Sequence, residues 1–228
     1  IRYFLLKKDL ISSNMAVSIH WFRKALRLHD NPALLYASKD PTTMMIPLFI
    51  LDPQFYDPEK AGVNRIAHLL ETLQTLDENL KKKRSRLFIV EGTPSEVLPA
   101  IIKQFDAQIL TFESDTEPYA KKRDKDVIKI AEAMGVDEIK TFCSHTLYDP
   151  AHLLKLAGGR PPLTMPVFLN LLSKAGSPKL PLDAPTSLPR APAIATLKTI
   201  KDIKVFDSVP MLSYFEKFGY DSSKKTTR

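Results

Sequence analysis

The chain has 228 residues, an apolar share of 44% and a net charge of +7, enough for one α/β domain plus an appendage and for a full hydrophobic core. No run reaches the roughly 18 apolar residues of a membrane span, and Tyr3 to Leu6 is too short for a signal-peptide core, so neither a membrane protein nor secretion is indicated. The single cysteine, Cys143, excludes an internal disulfide, and the basic balance favours anionic partners.

The chain begins with Ile1, and the first Met is Met15. Residues 1–14 show no clear period and are expected to be a disordered extension. From there strands and helices alternate. Val17 to Phe22 is a short strand. Asn31-Pro32 opens a helix, since Asn caps and Pro suits the first helical position. Met44 to Leu51 is a nearly continuous apolar run, as in strands covered on both faces, and Pro47 is expected at an edge or irregular point of it.

Val63 to Leu80 is the clearest helix, with Ile66, Leu69, Leu70, Leu73, Leu76 and Leu80 at helical spacing. Leu87 to Val90 is the third strand. Thr93-Pro94-Ser95-Glu96 reads as a capping box that starts a helix running to about Phe105. Gln108 to Phe112 is the fourth strand. Glu117-Pro118 leads into a charged helix ending near Met134-Gly135, and Ile139 to Cys143 is the fifth strand. This order predicts a Rossmann-like, doubly wound, five-stranded parallel sheet over residues 15–149. Its functional loops then lie at the carboxyl ends of the strands.

Composition changes afterwards. Half of the 18 prolines lie beyond Gly159, which marks residues 150–228 as a Pro-rich linker. Short helices are expected in it at Val167 to Leu172 and Met211 to Phe218. The linker still carries Leu180, Leu182, Val205, Phe206, Met211, Leu212, Phe215 and Phe218, which a solvated linker does not need. They are expected to face a partner domain that lies outside this chain.

No catalytic constellation, phosphate-cradling Gly-rich loop or metal-ligand spacing stands out, and His68 reads as a packing or surface residue. The runs Lys81 to Arg86 and Lys121 to Asp126 read as solvated faces. Two clusters face the expected switch-point crevice: Arg23, Lys24, Arg27 and Asp30 after the first strand, and Glu113, Asp115 and Glu117 after the fourth. They can line a ligand site or simply pair with each other.

The stretch His20-Trp21-Phe22-Arg23-Lys24-Ala25-Leu26-Arg27-Leu28-His29-Asp30-Asn31-Pro32 resembles the opening signature of photolyases and cryptochromes. Collinear segments extend the likeness: Phe49 to Pro53, Gly62 to Arg65, Ser85 to Pro94, Leu110 to Tyr119, Ser144 to Asp149 and Pro161 to Thr164. The chain is thereby similar to the N-terminal α/β domain of that family, nearest its animal cryptochrome and (6-4) photolyase branch. The resemblance implies a pocket at the strand ends for an antenna deazaflavin or folate, with Asp52, Arg65, Asp115 and Glu117 as binding residues. It implies no catalytic residue in this chain, because the family's FAD, lesion pocket and electron-transfer tryptophans belong to a C-terminal helical domain. FAD is expected in the parent protein and not in this chain. The implied partners are that helical domain and, through it, damaged DNA or signalling proteins. DNA repair or circadian signalling in the nucleus and/or cytoplasm follows as an expectation. A stand-alone α/β module that binds a nucleotide or a protein is the alternative.

Overall fold

A computed structural model describes residues 15–226. The expected N-terminal extension, residues 1–14, lies outside the described residues. Five parallel strands form as the sequence pattern requires: β1 (Val17–Phe22), β2 (Met44–Leu51), β3 (Phe88–Glu91), β4 (Ile109–Glu113) and β5 (Glu138–Phe142). The helices between them are α1 (Pro32–Ala37), α2 (Val63–Lys82), α3 (Pro94–Phe105) and α4 (Pro118–Ala133). A sixth strand, β6 (Lys204–Phe206), joins antiparallel to β3, and the sheet order is β5-β4-β1-β2-β3-β6. The expected five-stranded sheet is therefore six-stranded and mostly parallel. The added strand comes from the segment read as linker.

Period-two alternation divides the strands between two cores. Ile19 and Trp21 of β1, with Ile46, Leu48 and Ile50 of β2, pack under α3 and α4. Phe22, Met45, Phe49 and Leu51 pack on the other face under α1 and α2. β1 lies between β2 and β4, and the chain winds outward from it in both directions. That reversal places the ends of β1, β2 and β4 around one crevice.

Local signals explain the starts of the helices. The Asn31 side chain accepts from the Leu34 N–H at 3.0 Å. Glu96 Oε2 accepts from the Thr93 backbone N–H at 3.2 Å and from its hydroxyl at 2.7 Å. Gly92 sits at φ +142°, and a Cβ there would meet Val97 Cγ2 at 2.9 Å, so the β3–α3 turn admits only glycine without a shift.

Of the two places expected for Pro47, the structure shows the irregular point and not the edge, because β2 is an interior strand. The Met45 N–H donates to the Arg190 carbonyl at 3.0 Å. Two residues on, Pro47 faces the same side, and pairing with β3 begins only at Leu48 opposite Phe88. The missing donor thus falls where β3 has not yet begun. His20, opposite Pro47 in the register, is buried and its Nδ1 lies 2.9 Å from Thr111 Oγ1. Burial lowers the His20 pKa to about 3 and keeps the ring neutral.

Beyond β5 the chain forms a helical hairpin, α5 (Pro150–Leu156) and α6 (Met165–Ala175), then α7 (Ile194–Lys198) and a 3-10 turn, Leu212–Phe218. The apolar residues of the tail do not all await another domain. Leu197 joins the core beneath α3, and Phe215 joins the one beneath α2, so the strap closes on both faces of its own sheet. Val205, Phe206, Leu212 and Phe218 pack against these cores, whereas Leu180, Leu182 and Met211 are exposed. The Phe215 ring lies 5.4 Å from Tyr56, and both Tyr56 and Tyr214 donate their hydroxyls to Glu91, at 2.8 and 2.6 Å.

Phe215→Ala empties a fully buried ring site and is expected to cost about 3–5 kcal/mol, read by urea denaturation. A loss below about 1 kcal/mol would show that the strap is not part of the folded unit.

Candidate functional site

The crevice at the strand ends is walled by what each strand carries just past its last ladder bond. β1 ends in Trp21 and Phe22 and continues into Arg23 and Lys24. β2 ends in Leu51 and continues into Asp52. β4 ends in Glu113 and leads to Asp115 and Glu117. The first turn of α2 adds Arg65 and Ile66, and α4 adds Tyr119 and Arg123. All of these side chains but Glu113 line a cavity of about 370 Å³, within the usual size range of small-molecule sites. Asp52, Arg65, Asp115 and Glu117, drawn from three separate segments of sequence, all line it. Phe22, Leu26, Phe49, Leu51, Phe55 and Leu69 make much of the wall apolar.

The carboxylates are already engaged by the protein. Asp52 is buried and caps the 3-10 turn Pro53–Phe55. Its Oδ1 accepts from the Gln54 N–H at 3.0 Å, and its Oδ2 accepts from the Tyr119 hydroxyl at 3.1 Å. Burial first, and then the Asp52 charge and hydrogen bond, push the Tyr119 pKa up, so this phenol stays protonated as a donor. Tyr119 also meets Phe55 edge-on at 6.2 Å, closing one end of the cavity.

Asp115 receives Lys24 Nζ at 2.9 Å and the Glu117 N–H at 3.1 Å. Burial disfavours its charge, but the Lys24 hydrogen bond, the Glu117 N–H and the Lys24 charge together outweigh it and hold the pKa at about 2. Glu117 is solvent-facing and takes Lys24 at 2.7 Å. Lys24 loses by burial but gains more from Glu117 and Asp115, and its pKa is raised. The two clusters noted in the sequence therefore do pair, and the pairs form one wall of the cavity. Glu113 takes a different part. It accepts from the Ala25 N–H at 3.0 Å and from the Ser144 hydroxyl at 2.7 Å, tying the loops after β1 and β5 to β4. Arg65 is exposed and, among the described residues, has no carboxylate within ion-pair distance. Its planar donor fork is free for a ligand.

Sequence reasoning missed the floor of the site. Trp21, the single tryptophan of the chain, is buried in the cavity wall. The Arg23 guanidinium lies 4.9 Å from its ring centre and that of Arg123 5.0 Å. Arg23 Nη1 donates to Asp124 Oδ1 at 2.8 Å. Its Nη2 lies 3.7 Å from Asp115, inside ion-pair reach but without a hydrogen bond of its own. Burial and the neighbouring Arg123 lower the Arg23 pKa, while Asp124 and Asp115 oppose the shift. The expectation that Lys121 to Asp126 is a solvated face fails at Arg123 and Asp124. Ala120, Asp124, Val127 and Ala131 form the buried face of α4, a spacing that the sequence displays but the charges obscured. His68 is exposed, as a surface residue should be, yet it lines the cavity. Among the described residues no group of histidine, cysteine or carboxylate side chains is set to hold a metal, and no helix is long and apolar enough to cross a membrane.

The profile of the DNA photolyase family matches residues 18–187. Cryptochrome-1 of Mus musculus is 40% identical over 205 residues, covering 90% of this chain and 33% of that protein. Among solved structures, a Synechocystis cryptochrome superposes with a TM-score of 0.72 at 24% identity, over 89% of this chain and 41% of its own. A photolyase from Sulfolobus tokodaii, solved with two FAD molecules, superposes with a TM-score of 0.66 at 23% identity, over 90% of this chain and 42% of its own. The doubly wound sheet, its switch-point cavity and this match together place the chain in the DNA photolyase family, as the photolyase/cryptochrome α/β domain. It spans about a third of the length of the curated relatives it matches.

The Asp115 carboxylate, held at about 2 against an ordinary 3.8, stabilises the fold above about pH 4 and loses that contribution as the pH falls toward 2. Asp115→Asn is expected to cost about 1–2 kcal/mol at pH 7, after discounting for Lys24's exposure. Urea melts of the two proteins should show the same difference at pH 7 and pH 5 and a smaller one at pH 3. A difference independent of pH would mean that Asp115 acts through shape and not charge.

Proposed function

We propose that this chain is the antenna-type α/β domain of a FAD-dependent blue-light protein, and that its switch-point cavity binds a planar chromophore. The observation that carries the reading is the convergence of Asp52, Arg65, Asp115 and Glu117 on one partly apolar cavity. Arg65 offers the free cationic fork, and Tyr119, aligned by Asp52, offers a hydroxyl at the rim. Trp21 and Phe55 supply aromatic wall. Candidate chromophores are a deazaflavin and a folate. FAD joins them because the Sulfolobus tokodaii photolyase holds two FAD molecules, one implicated in light harvesting. The chromophore itself supplies light absorption. The residues of this chain bind it, fix its orientation and exclude water from its ring.

The FAD that performs photochemistry belongs, in this reading, to a helical domain outside these 228 residues. That domain is the first partner of this one. The likeness to cryptochrome-1 favours the cryptochrome reading over the repair enzyme, and in that reading the protein acts through protein contacts in the nucleus and/or cytoplasm. Damaged DNA is the partner in the (6-4) photolyase reading, and repair assays on a protein that carries both domains separate the two.

The test of the site is calorimetric titration of the purified chain with an 8-hydroxy-deazaflavin, methenyl-tetrahydrofolate and FAD. One of them is expected to bind with 1:1 stoichiometry, and Arg65→Ala should weaken that binding by about tenfold, the loss of one charge-assisted contact. Binding by none of the three, or an affinity indifferent to Arg65→Ala and Asp52→Asn, would overturn the chromophore reading.

A further inference from the structure

The loop after β2 stands between the cavity and the strap. On one side Asp52 and Phe55 line the cavity. On the other the next residue, Tyr56, is 4% exposed and joins the core beneath α2. Among the described residues, the aromatic rings that meet Tyr56 both come from the strap, Phe215 at 5.4 Å and Phe218 at 4.9 Å. The contact continues past the 3-10 turn. Gly219 bends the chain at φ +95°, and a Cβ there would lie 3.6 Å from Pro58 Cγ. Tyr220 follows and is buried. Burial first, and then the Asp57 charge, raise its pKa, while Arg65 opposes the shift. A hydroxyl that feels both groups lies close to the loop and to the first turn of α2.

One carboxylate fastens the two segments to each other. Glu91, the last residue of β3, accepts the Tyr56 hydroxyl from the loop through Oε1 at 2.8 Å. Through Oε2 it accepts the Tyr214 hydroxyl from the strap at 2.6 Å. Lys204 of β6 and Lys217 both donate to the Tyr214 hydroxyl, Lys217 at 2.9 Å. Lys204 Nζ also lies 3.6 Å from Glu91 Oε2. The donor and both acceptor sites of the Tyr214 hydroxyl are thereby used. Burial works against the Glu91 charge, but the Tyr214 and Tyr56 hydrogen bonds and the Lys204 and Lys217 charges outweigh it and lower the pKa. Burial first, and then the Glu91 hydrogen bond and charge, raise the Tyr56 pKa, so this phenol stays a donor. The node is complete only when loop and strap are both seated.

We infer that the strap is a latch on the cavity: through Glu91 and Tyr56 it holds the loop of residues 52–61 that walls the crevice, and release of the strap loosens that wall. The coupling runs both ways, because a free energy shared by two segments is reciprocal. A ligand that braces Asp52 and Phe55 therefore tightens the strap, and whatever displaces the strap weakens the hold on that ligand. The inference concerns the wall and not its occupant, so it stands or falls apart from the chromophore reading.

Amide hydrogen exchange of the purified chain, read peptide by peptide, tests the latch without a ligand. Tyr214→Phe, a change in the strap, is expected to speed exchange in residues 52–61 about tenfold, the loss of one hydrogen bond to a charged acceptor. Tyr56→Phe, a change in the loop, should speed exchange in residues 212–218 by a like factor. Each variant removes one oxygen and keeps its ring, and the amides of β1 and β4 should exchange as before. Glu91→Gln keeps the shape of the node and should loosen both segments together. Acrylamide quenching of Trp21, the one tryptophan and part of the cavity wall, should rise in all three variants. Faster exchange confined to the strap in Tyr214→Phe and to the loop in Tyr56→Phe would overturn the latch. Acceleration of the β1 and β4 amides by the same factor would also overturn it, since the node would then stabilise the whole domain. So would Trp21 quenching that stays put while both segments loosen.

Discussion

The structure turns on one buried guanidinium. Arg23 leaves the end of β1 and lies between the rings of Trp21 and Phe112 and the carboxylates of Asp124 and Asp115. Its side chain is 6% exposed. A cation withdrawn that far from water persists only where partners replace its hydration. Those partners come from β4, the loop after it, and α4, so satisfying Arg23 fixes where β1, β4 and α4 end relative to one another. Lys24 then takes Asp115 and Glu117 at the rim. The cavity is the space left beside this joint, and its polarity follows: carboxylates consumed by the protein's own cations on one side and, on the other, Arg65 with no carboxylate partner among the described residues.

Parallel strands make the joint possible. β1 bonds to β2 and β4 on its two sides, and the chain diverges from it in both directions. Strand ends at such a reversal are not covered by their own crossover helices. Arg23, Asp52 and Asp115 lie far apart in sequence and converge because each follows the last residues of one of three adjacent strands. The strap from α7 to the Leu212–Phe218 turn then braces the opposite edge, with β6 on β3 and Phe215 in the core beneath α2.

Much of this was legible in the residues. The period of Ile66, Leu70, Leu73, Leu76 and Leu80 set α2, and the cap at Asn31 and the Glu96 bond to Thr93 set two helix starts where the sequence put them. The opposition of Arg23 and Lys24 to Asp115 and Glu117 was visible once the strands were ordered. β6 was not, because Lys204–Phe206 is too short to show a period and acquires its pairing only from the exposed edge of β3. Pro47 left edge and irregular point undecided for a related reason: its tolerance depends on where the neighbouring strand starts, which is a matter of register. Arg123 and Asp124 hid inside a charged run, where helical phase and not charge decides burial.

If Arg23 is the joint, its bond to Asp124 must be energetically coupled and not merely close. A double-mutant cycle with Arg23→Met, Asp124→Ala and the pair, read by urea denaturation at pH 7, measures that coupling directly. The expected coupling is about 1.5–3 kcal/mol, with the double variant less damaged than the two single losses summed. Strict additivity, a coupling within about 0.3 kcal/mol of zero, would contradict the view that this guanidinium holds the strand ends and the cavity in place.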